Sequence, residues 1–411
     1  MARELRVVEV SDPNSLIGPL GDALAGSGPA VFPYMGATPK GSPELVDDQV
    51  ALVVETSGST ATPKRVWHTA ESLRAASAQS MSALGAPGVW WLALPAHYIA
   101  GVMVIVRALE PGGKLLAKDH TVPISVGLRA FHQSAFDDYP GIPRYTSLVP
   151  KQISDLLDAA ESDPELRDAL AGFERILVGG QRVPDELVHR AQSLGVIVTK
   201  TYGSAETAGG CVWDGVPLGE TEVDIVDGAV TLSGPMLAGG YLGDPTRTKE
   251  RFVVRHDRTW YFTDDAGAIV DGVLQVSGRI DRTIISGGLK VNLDELEDTL
   301  HGVFPSYEWV AVGVADPTWG DVPVMVGALS ASRISASKKG AEEAQQMVSE
   351  AAALSLDQVQ EAISRILGRH VVPRQLVMLD VIPRLPSGKV DRRAVADHVI
   401  HEGGNRLHHR E

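Results

Sequence analysis

The run Thr56-Ser57-Gly58-Ser59-Thr60-Ala61-Thr62-Pro63-Lys64 concentrates groups able to hold a polyphosphate. Small hydroxylated residues let backbone N–H and side-chain O–H groups converge on phosphate oxygens, and Lys64 adds a point charge. The Gly-Lys-Ser/Thr ending of a Walker A loop is absent. On composition alone the run reads as readily as a plain polar connection. Lys389, in Leu385-Pro386-Ser387-Gly388-Lys389, offers a lone ammonium near the C-terminus, with a solvated surface lysine as the alternative. Arg144, in Arg144-Tyr145-Thr146-Ser147, offers a guanidinium that suits a substrate carboxylate or an ordinary surface ion pair.

These groups need a scaffold, and the chain from about residue 50 to 202 supplies one. Short β-branched or apolar runs alternate there with longer amphipathic ones, which is the pattern of strand–helix units around a parallel sheet. Strands are expected at 51–54, 90–94, 145–149, 175–178 and 196–201, and helices at 70–84, 99–109, 151–159 and 185–194. The phosphate-loop candidate directly follows the first of these strands. After Tyr202 the texture becomes Gly- and Asp-rich, with Asp227-Gly228, Asp271-Gly272 and Gly239-Gly240, which predicts hairpins and a more antiparallel region. Residues 330–353 are rich in Ala, Ser, Lys and Glu without an apolar stripe and read as a surface insertion, and the tail from His401 reads as frayed.

A chain of 411 residues exceeds what one core usually organises, and 44% hydrophobic with 22% charged residues is an ordinary folded composition. Two domains are expected, 1–280 and 281–411. The formal charge of -15 argues against a general nucleic-acid grip, so an anionic ligand needs backbone N–H groups and a few placed cations. Cys211 is the only cysteine, which excludes an intramolecular disulfide and fits a reducing, cytoplasmic setting; a free cysteine is typically a small buried hydrophobe. No stretch has the apolar length of a secretory signal or membrane span. The oligomeric state stays open, a homo-oligomer included.

Read in order, the segments resemble the superfamily of acyl-CoA synthetases, luciferases and non-ribosomal adenylation domains. The Ser/Thr run resembles its phosphate-binding motif. Thr201-Tyr202-Gly203-Ser204-Ala205-Glu206-Thr207 is similar to the adenylate-binding motif, and Trp260-Tyr261-Phe262-Thr263-Asp264-Asp265 to the ribose-binding motif. Gly278-Arg279-Ile280-Asp281 resembles the hinge, and residues 385–393 resemble the loop of the catalytic lysine. The short N-terminal region and Gly209-Gly210-Cys211-Val212-Trp213 narrow the resemblance to the short actinobacterial o-succinylbenzoate-CoA ligases.

The resemblance implies an α/β fold: a large N-terminal domain of parallel sheets in α/β layers with a Gly-rich β subdomain, and a small, mobile α+β C-terminal domain. It implies ATP and Mg2+ as cofactors, coenzyme A as co-substrate and an aromatic dicarboxylate as the acid, joined through an acyl-AMP in menaquinone biosynthesis. Thr56, Ser57, Gly58, Ser59, Thr60 and Lys64 would take the phosphates. Glu206 and Thr60 would stand on the magnesium side, and Tyr202, with Thr201 and Gly203 beside it, would stack on adenine in a loop lined by Gly179, Gly180 and Gln181. Asp265 and Arg279 would meet the ribose. His97, Arg144, Ser147, Gly209 and Gly210 would face the acid, with Arg144 on its second carboxylate. Lys389 would serve adenylation; after a swing about Asp281, the loop with Gly287, Gly288 and Lys290 would serve thiol attack. The chain departs from the family pattern at Ala61, Arg65, Ala205 and Asp264, which bears on rate more than on reaction class.

Overall fold

A computed structural model describes residues 2–56, 63–117, 122–329, 354–385 and 390–403. Residues 1, 57–62, 118–121, 330–353, 386–389 and 404–411 lie outside them. The chain divides into two compact units, residues 1–263 with 269–275, and residues 264–268 with 276–411, so Asp281 lies inside the second.

The first unit stacks two sheets with helices between and outside them. One sheet has the order Gly240–Tyr241, Lys64–Thr69, Val50–Thr56, Ala30–Tyr34, Ala2–Glu9, Leu45–Asp47. The other runs Val216–Pro217, Gly209–Trp213, Val198–Ser204, Arg175–Gly179, Arg144–Leu148, Val89–Leu92, Lys114–Ala117, and its last five strands are parallel. The α/β expectation is borne out, and the helices at Ala70–Leu84 and Ile99–Leu109 fall where the sequence placed them.

The sequence of Ile99–Leu109 is apolar almost all round, and burial explains it. That helix lies in the layer between the sheets, where one core joins Leu52, Val54 and Val66 of the first sheet to Trp90 and Leu92 of the second. A helix with sheet on two sides has no face left for water. Successive residues of a strand point to opposite faces. Trp90 therefore enters this inner core, while Trp91 enters the outer one with Phe131 and Phe173. The helices Ile124–Asp138, Pro150–Ala160, Pro164–Ala171 and Asp185–Ser193 cover that outer face.

Beyond Ser204 the backbone turns antiparallel, as the Asp-Gly spacing predicts. Asp227 and Gly228 have φ of 51° and 81° between the paired strands Glu222–Val226 and Ala229–Ser233. Asp271 and Gly272, at 52° and 80°, join the paired strands Arg258–Val270 and Val273–Arg279. Positive φ at both central positions is the two-residue turn whose twist matches the flanking strands, and Asp-Gly tolerates it at low cost.

The second unit is α+β. Its sheet has the order Leu289–Asn292, Thr283–Ser286, Gly320–Leu329, Tyr307–Asp316, with Gln375–Leu379 added parallel to Gly320–Leu329. The helices Leu293–Val303, Leu356–Leu367 and Arg392–Gly403 belong to the same unit. Leu293, Leu296 and Leu300 bury one stripe of the first of these helices against Val359 and Ile363 of the second.

Candidate active site

The parallel strands of the second sheet all end at one edge, and most of the expected site residues of the first unit stand there. Ligands of open α/β sheets bind at the carboxyl ends of the strands, where loops rather than pleated backbone meet the solvent. Ser147 is near the end of Arg144–Leu148, Gly179 ends Arg175–Gly179, and Thr201, Tyr202 and Gly203 close Val198–Ser204. His97 follows Val89–Leu92, with its ring centroid 4.0 Å from that of Tyr98.

The glycines here have a steric reason. A Cβ on Gly179 would stand 2.3 Å from Thr201 Oγ1, and one on Gly203 would stand 2.0 Å from the carbonyl oxygen of Gly209. One on Gly210 would meet Thr201 Cβ at 2.7 Å, while Gly180, ahead of Gln181, has φ of +78°. Side chains at the first three positions would prise the strands apart just where the backbone must present the adenylate motif.

Arg144 is not at this edge. It begins its strand, pairs with Val89 at the amino-terminal end, and its Nη1 lies 3.3 Å from His132 Nδ1. Strand direction fixes this placement, since a residue that opens a parallel strand stands a strand's length from the loops at its other end. The structure thus separates Arg144 from the strand ends where the other expected residues of the acid site stand.

The two ends of the phosphate-loop candidate, Thr56 and Lys64, stand on paired strands. Val50–Thr56 pairs antiparallel with Lys64–Thr69, and Thr56 faces Lys64 directly. Ser57, Gly58, Ser59, Thr60 and Ala61 lie outside the described residues. Arg65, where the family pattern has glycine, braces this strand pair: its Nε lies 3.1 Å from Glu55 Oε2, and it donates to the carbonyls of Gly41 at 3.0 Å and Lys40 at 2.6 Å.

Glu206 sits in the short helical turn Ala205–Thr207, only 6% exposed. Ser204 caps the turn, accepting from the Glu206 N–H at 3.2 Å, while Thr207 Oγ1 accepts from the Ser204 N–H at 2.9 Å. Tyr241 donates its hydroxyl to Glu206 Oε1 at 2.8 Å. Burial, and then the charge of Glu206, pushes the Tyr241 phenol well above its ordinary range, so it stays a donor. Tyr261 is pushed up by the same causes. His68, completely buried, has Nε2 at 2.7 Å from the Ala205 carbonyl oxygen and Nδ1 at 3.1 Å from Ser72 Oγ. Neither His68 nor Tyr241 carries a signal in the sequence, because their partners are 137 and 35 residues away. Cys211 is buried, and desolvation pushes its thiol up to about 12, so it is no thiolate nucleophile.

A carboxylate has about four lone-pair sites, so Glu206 keeps acceptor capacity after binding Tyr241. Among the described residues no three His, Cys, Asp or Glu side chains gather as a metal cage. A single buried carboxylate suits Mg2+, which takes one or two protein carboxylates and completes its shell with substrate phosphates and water.

In the second unit Arg279 is gripped by carboxylates. Its Nε and Nη2 each lie 2.7 Å from an Asp281 oxygen, Nη2 is 3.3 Å from Asp264, and Nη1 is 3.9 Å from Asp265. Asp281 is held below its ordinary range chiefly by the hydrogen bonds from Arg279. Asp264, the departure from the family's glycine, thus adds a third acid to the group. Gly287 and Gly288, at φ of 57° and 80°, make a tight turn between Thr283–Ser286 and Leu289–Asn292, the strand that carries Lys290. Lys389 lies outside the described residues. On either side of residues 386–389, Arg384 and Val390 form an antiparallel bridge, Arg384 pairs with Glu308, and Arg392 pairs with Glu297.

The family model described as AMP-binding enzyme matches residues 6–242. The chain is 34% identical to a probable 2-succinylbenzoate–CoA ligase of Mycobacterium tuberculosis, over 96% of the chain and 97% of that protein. It is 30% identical to the 2-succinylbenzoate–CoA ligase of Escherichia coli over 66% of the chain and 57% of that protein. Among solved structures, E. coli MenE with a bound analogue of OSB-AMS superposes with a TM-score of 0.69 at 22% identity, covering 97% of the chain and 88% of that structure. The o-succinylbenzoate CoA synthetase of Bacillus subtilis, in complex with OSB-AMP, gives 0.68 at 21% identity over 92% and 80%. At such identities the structures speak for the fold. No helix among the described residues is long and apolar enough to cross a membrane.

Proposed function

The chain belongs to the AMP-binding enzyme family, and from that premise we propose that it joins o-succinylbenzoate to coenzyme A through an acyl-AMP, a step of menaquinone biosynthesis. As a member of the family it is an ATP-dependent, adenylate-forming enzyme. The observation that carries the finer reading is the end-to-end correspondence with the mycobacterial ligase.

In the first half-reaction the acid's carboxylate attacks the α-phosphorus of ATP and expels pyrophosphate. Charge builds on phosphate oxygens, so the step calls for fixed donors and cations more than for a proton acceptor. Thr56 and Lys64, with Ser57 to Thr60 between them, are assigned to the phosphates. Glu206 and Thr60 would hold Mg2+, which when bound neutralises phosphate charge. Tyr202 is assigned to the adenine face, with Gly179, Gly180 and Gln181 along its edge, and Asp265 and Arg279 to the ribose. Lys389 supplies the ammonium that the forming anhydride requires. His97, Ser147, Gly209 and Gly210 are assigned to the acid.

In the second half-reaction the thiol of coenzyme A attacks the acyl carbon and AMP leaves. The attacking sulfur belongs to the co-substrate, so no protein thiol is needed, in keeping with the buried Cys211. Gly287, Gly288 and Lys290 are assigned to this step, and Asp281 to the hinge that changes which loop serves the acyl-AMP.

The test is acid-dependent release of AMP and pyrophosphate, with mass detection of the acyl-CoA. We expect o-succinylbenzoate to support turnover with coenzyme A, and benzoates and fatty acids to give little. Preference for another acid would overturn the substrate, and transfer only to a carrier protein would overturn the acceptor.

A further inference from the structure

Three groups that matter to one another share a single face of the first sheet. Along Lys64–Thr69, alternate residues point the same way, so Lys64, Val66 and His68 form one row. Tyr241 pairs directly with Val66, and residues directly opposite each other on paired strands present their side chains on the same face. The phosphate-loop lysine, the imidazole and the phenol are therefore neighbours on that face, and Lys64 Nζ lies 6.0 Å from the Tyr241 ring centroid.

The row engages the turn that carries Glu206. The peptide between Ala205 and Glu206 is pinned at both ends: its carbonyl faces His68 Nε2 at 2.7 Å, and its N–H donates to Ser204 Oγ at 3.2 Å. A carbonyl can only accept, so Nε2 is the protonated ring nitrogen and Nδ1 faces the Ser72 hydroxyl. The carbonyl of Glu206 accepts from the Ala238 N–H at 2.8 Å, and its carboxylate accepts from Tyr241. Position 205 is alanine and brings no hydroxyl of its own to the turn, so its carbonyl is held from outside, by His68 of the sheet.

We propose that His68 and Tyr241 are positioning residues that clamp Glu206 for a divalent cation, His68 through the Ala205 carbonyl and Tyr241 through Oε1. The inference rests on the reading of this site as an ATP–Mg2+ site. The clamp also fixes the carboxylate relative to Lys64, because His68 and Tyr241 stand on strands hydrogen-bonded to one another, one of which carries Lys64 itself. A cation held by Glu206 and the phosphates held beside Lys64 then keep a constant spacing. A buried carboxylate with one anchoring bond removed samples other rotamers, and the loss falls on metal affinity before it falls on nucleotide contacts.

The experiment measures ATP binding by calorimetry across a Mg2+ titration, alongside pyrophosphate exchange, for Tyr241→Phe, His68→Leu and His68→Gln. Glutamine places an N–H donor near the Nε2 position, whereas leucine places none. Loss of a hydrogen bond to a charged or buried acceptor predicts that Tyr241→Phe and His68→Leu raise the Mg2+ concentration for half-maximal ATP binding about tenfold. ATP binding without Mg2+ should be unchanged, and His68→Gln should restore most of the Mg2+ dependence. A wild-type Mg2+ midpoint in folded Tyr241→Phe would overturn the phenol's role. His68→Gln as impaired as His68→Leu would overturn the imidazole's, and should the leucine variant not fold, a Mg2+ midpoint for His68→Gln shifted as far as expected for loss of the donor does so alone. Wild-type protein that binds no Mg2+–ATP would overturn the underlying reading as well, an outcome distinct from both.

Discussion

Arg144 Nη1 lies 3.3 Å from His132 Nδ1, at the end of the parallel strands opposite to the one where Gly179 and Tyr202 emerge. The imidazole of His132 is held below its ordinary range, by burial first and by Arg144 second. A guanidinium facing a neutral ring in this way serves packing, with His132 Nδ1 accepting from the guanidinium. Arg144→Gln is therefore expected to leave the KM for o-succinylbenzoate within about twofold of wild type while costing about 1 kcal/mol of stability. Steady-state kinetics and urea unfolding check this, and a KM raised by tenfold or more would restore Arg144 to the acid's carboxylate.

The buried imidazole of His68 gives stability a pH dependence. Desolvation lowers its pKa from 6.5 to about 4 in the folded protein, against smaller opposing effects of the Ala205 carbonyl and Glu206. Above pH 6.5 the ring is neutral in both states and its full contribution is present. As pH falls from 6.5 toward 4 the unfolded chain takes up a proton that the folded protein refuses, so stability is lost, by about 3 kcal/mol in all. Urea unfolding of wild type and His68→Gln between pH 7 and pH 4 should show wild type losing more, and parallel curves would mean the ring is not held neutral.

Much of this organisation was legible from sequence, because local pattern and local structure agree. The helix 70–84 begins at Thr69, whose hydroxyl accepts from the Ser72 N–H, and ends at Gly85 with φ of 85°. Both signals are readable in one dimension. The adenylate turn was legible as a motif. Its clamp was not, since His68 and Tyr241 acquire meaning only when a strand far from residue 206 folds against it. Arg144 is a related case: residue type gave a chemistry, but the edge of the sheet at which the other expected site residues gather shows only once the strands are aligned. Arg65 read as a departure from a glycine, whereas its bonds to Glu55, Lys40 and Gly41 are a gain that only tertiary structure displays.

Glycine 203 and glycine 21 should respond oppositely to a methyl group. At Gly203 the new Cβ would stand 2.0 Å from the Gly209 carbonyl oxygen, so the pairing of Val198–Ser204 with Gly209–Trp213 must open. At Gly21, inside the helix Ile17–Ala25, nothing lies within 4 Å of it. Gly203→Ala is expected to lose at least about 2 kcal/mol and to abolish ATP binding, whereas Gly21→Ala should gain about 0.5–1 kcal/mol from helix propensity. Melting temperatures and nucleotide titration report both, and an unchanged ATP affinity in Gly203→Ala would show that the tight crossing is dispensable.

The ammonium assigned to Lys389 is expected to separate the two half-reactions on chemical grounds. Adenylation concentrates negative charge where two anions, a carboxylate and a phosphate, are forced together, and an ammonium between them acts directly on that barrier. Thiolysis starts from a mixed anhydride whose carboxylate charge is already spent, so the same ammonium has less to neutralise. Lys389→Ala is expected to cut acid-dependent pyrophosphate exchange by at least about 100-fold. Formation of acyl-CoA from supplied acyl-AMP and coenzyme A should fall by less than about tenfold in the same variant. Rapid-quench assays of each half-reaction distinguish these losses. Equal loss in both would move Lys389 from the adenylation step to a role common to the two, such as gripping the nucleotide throughout.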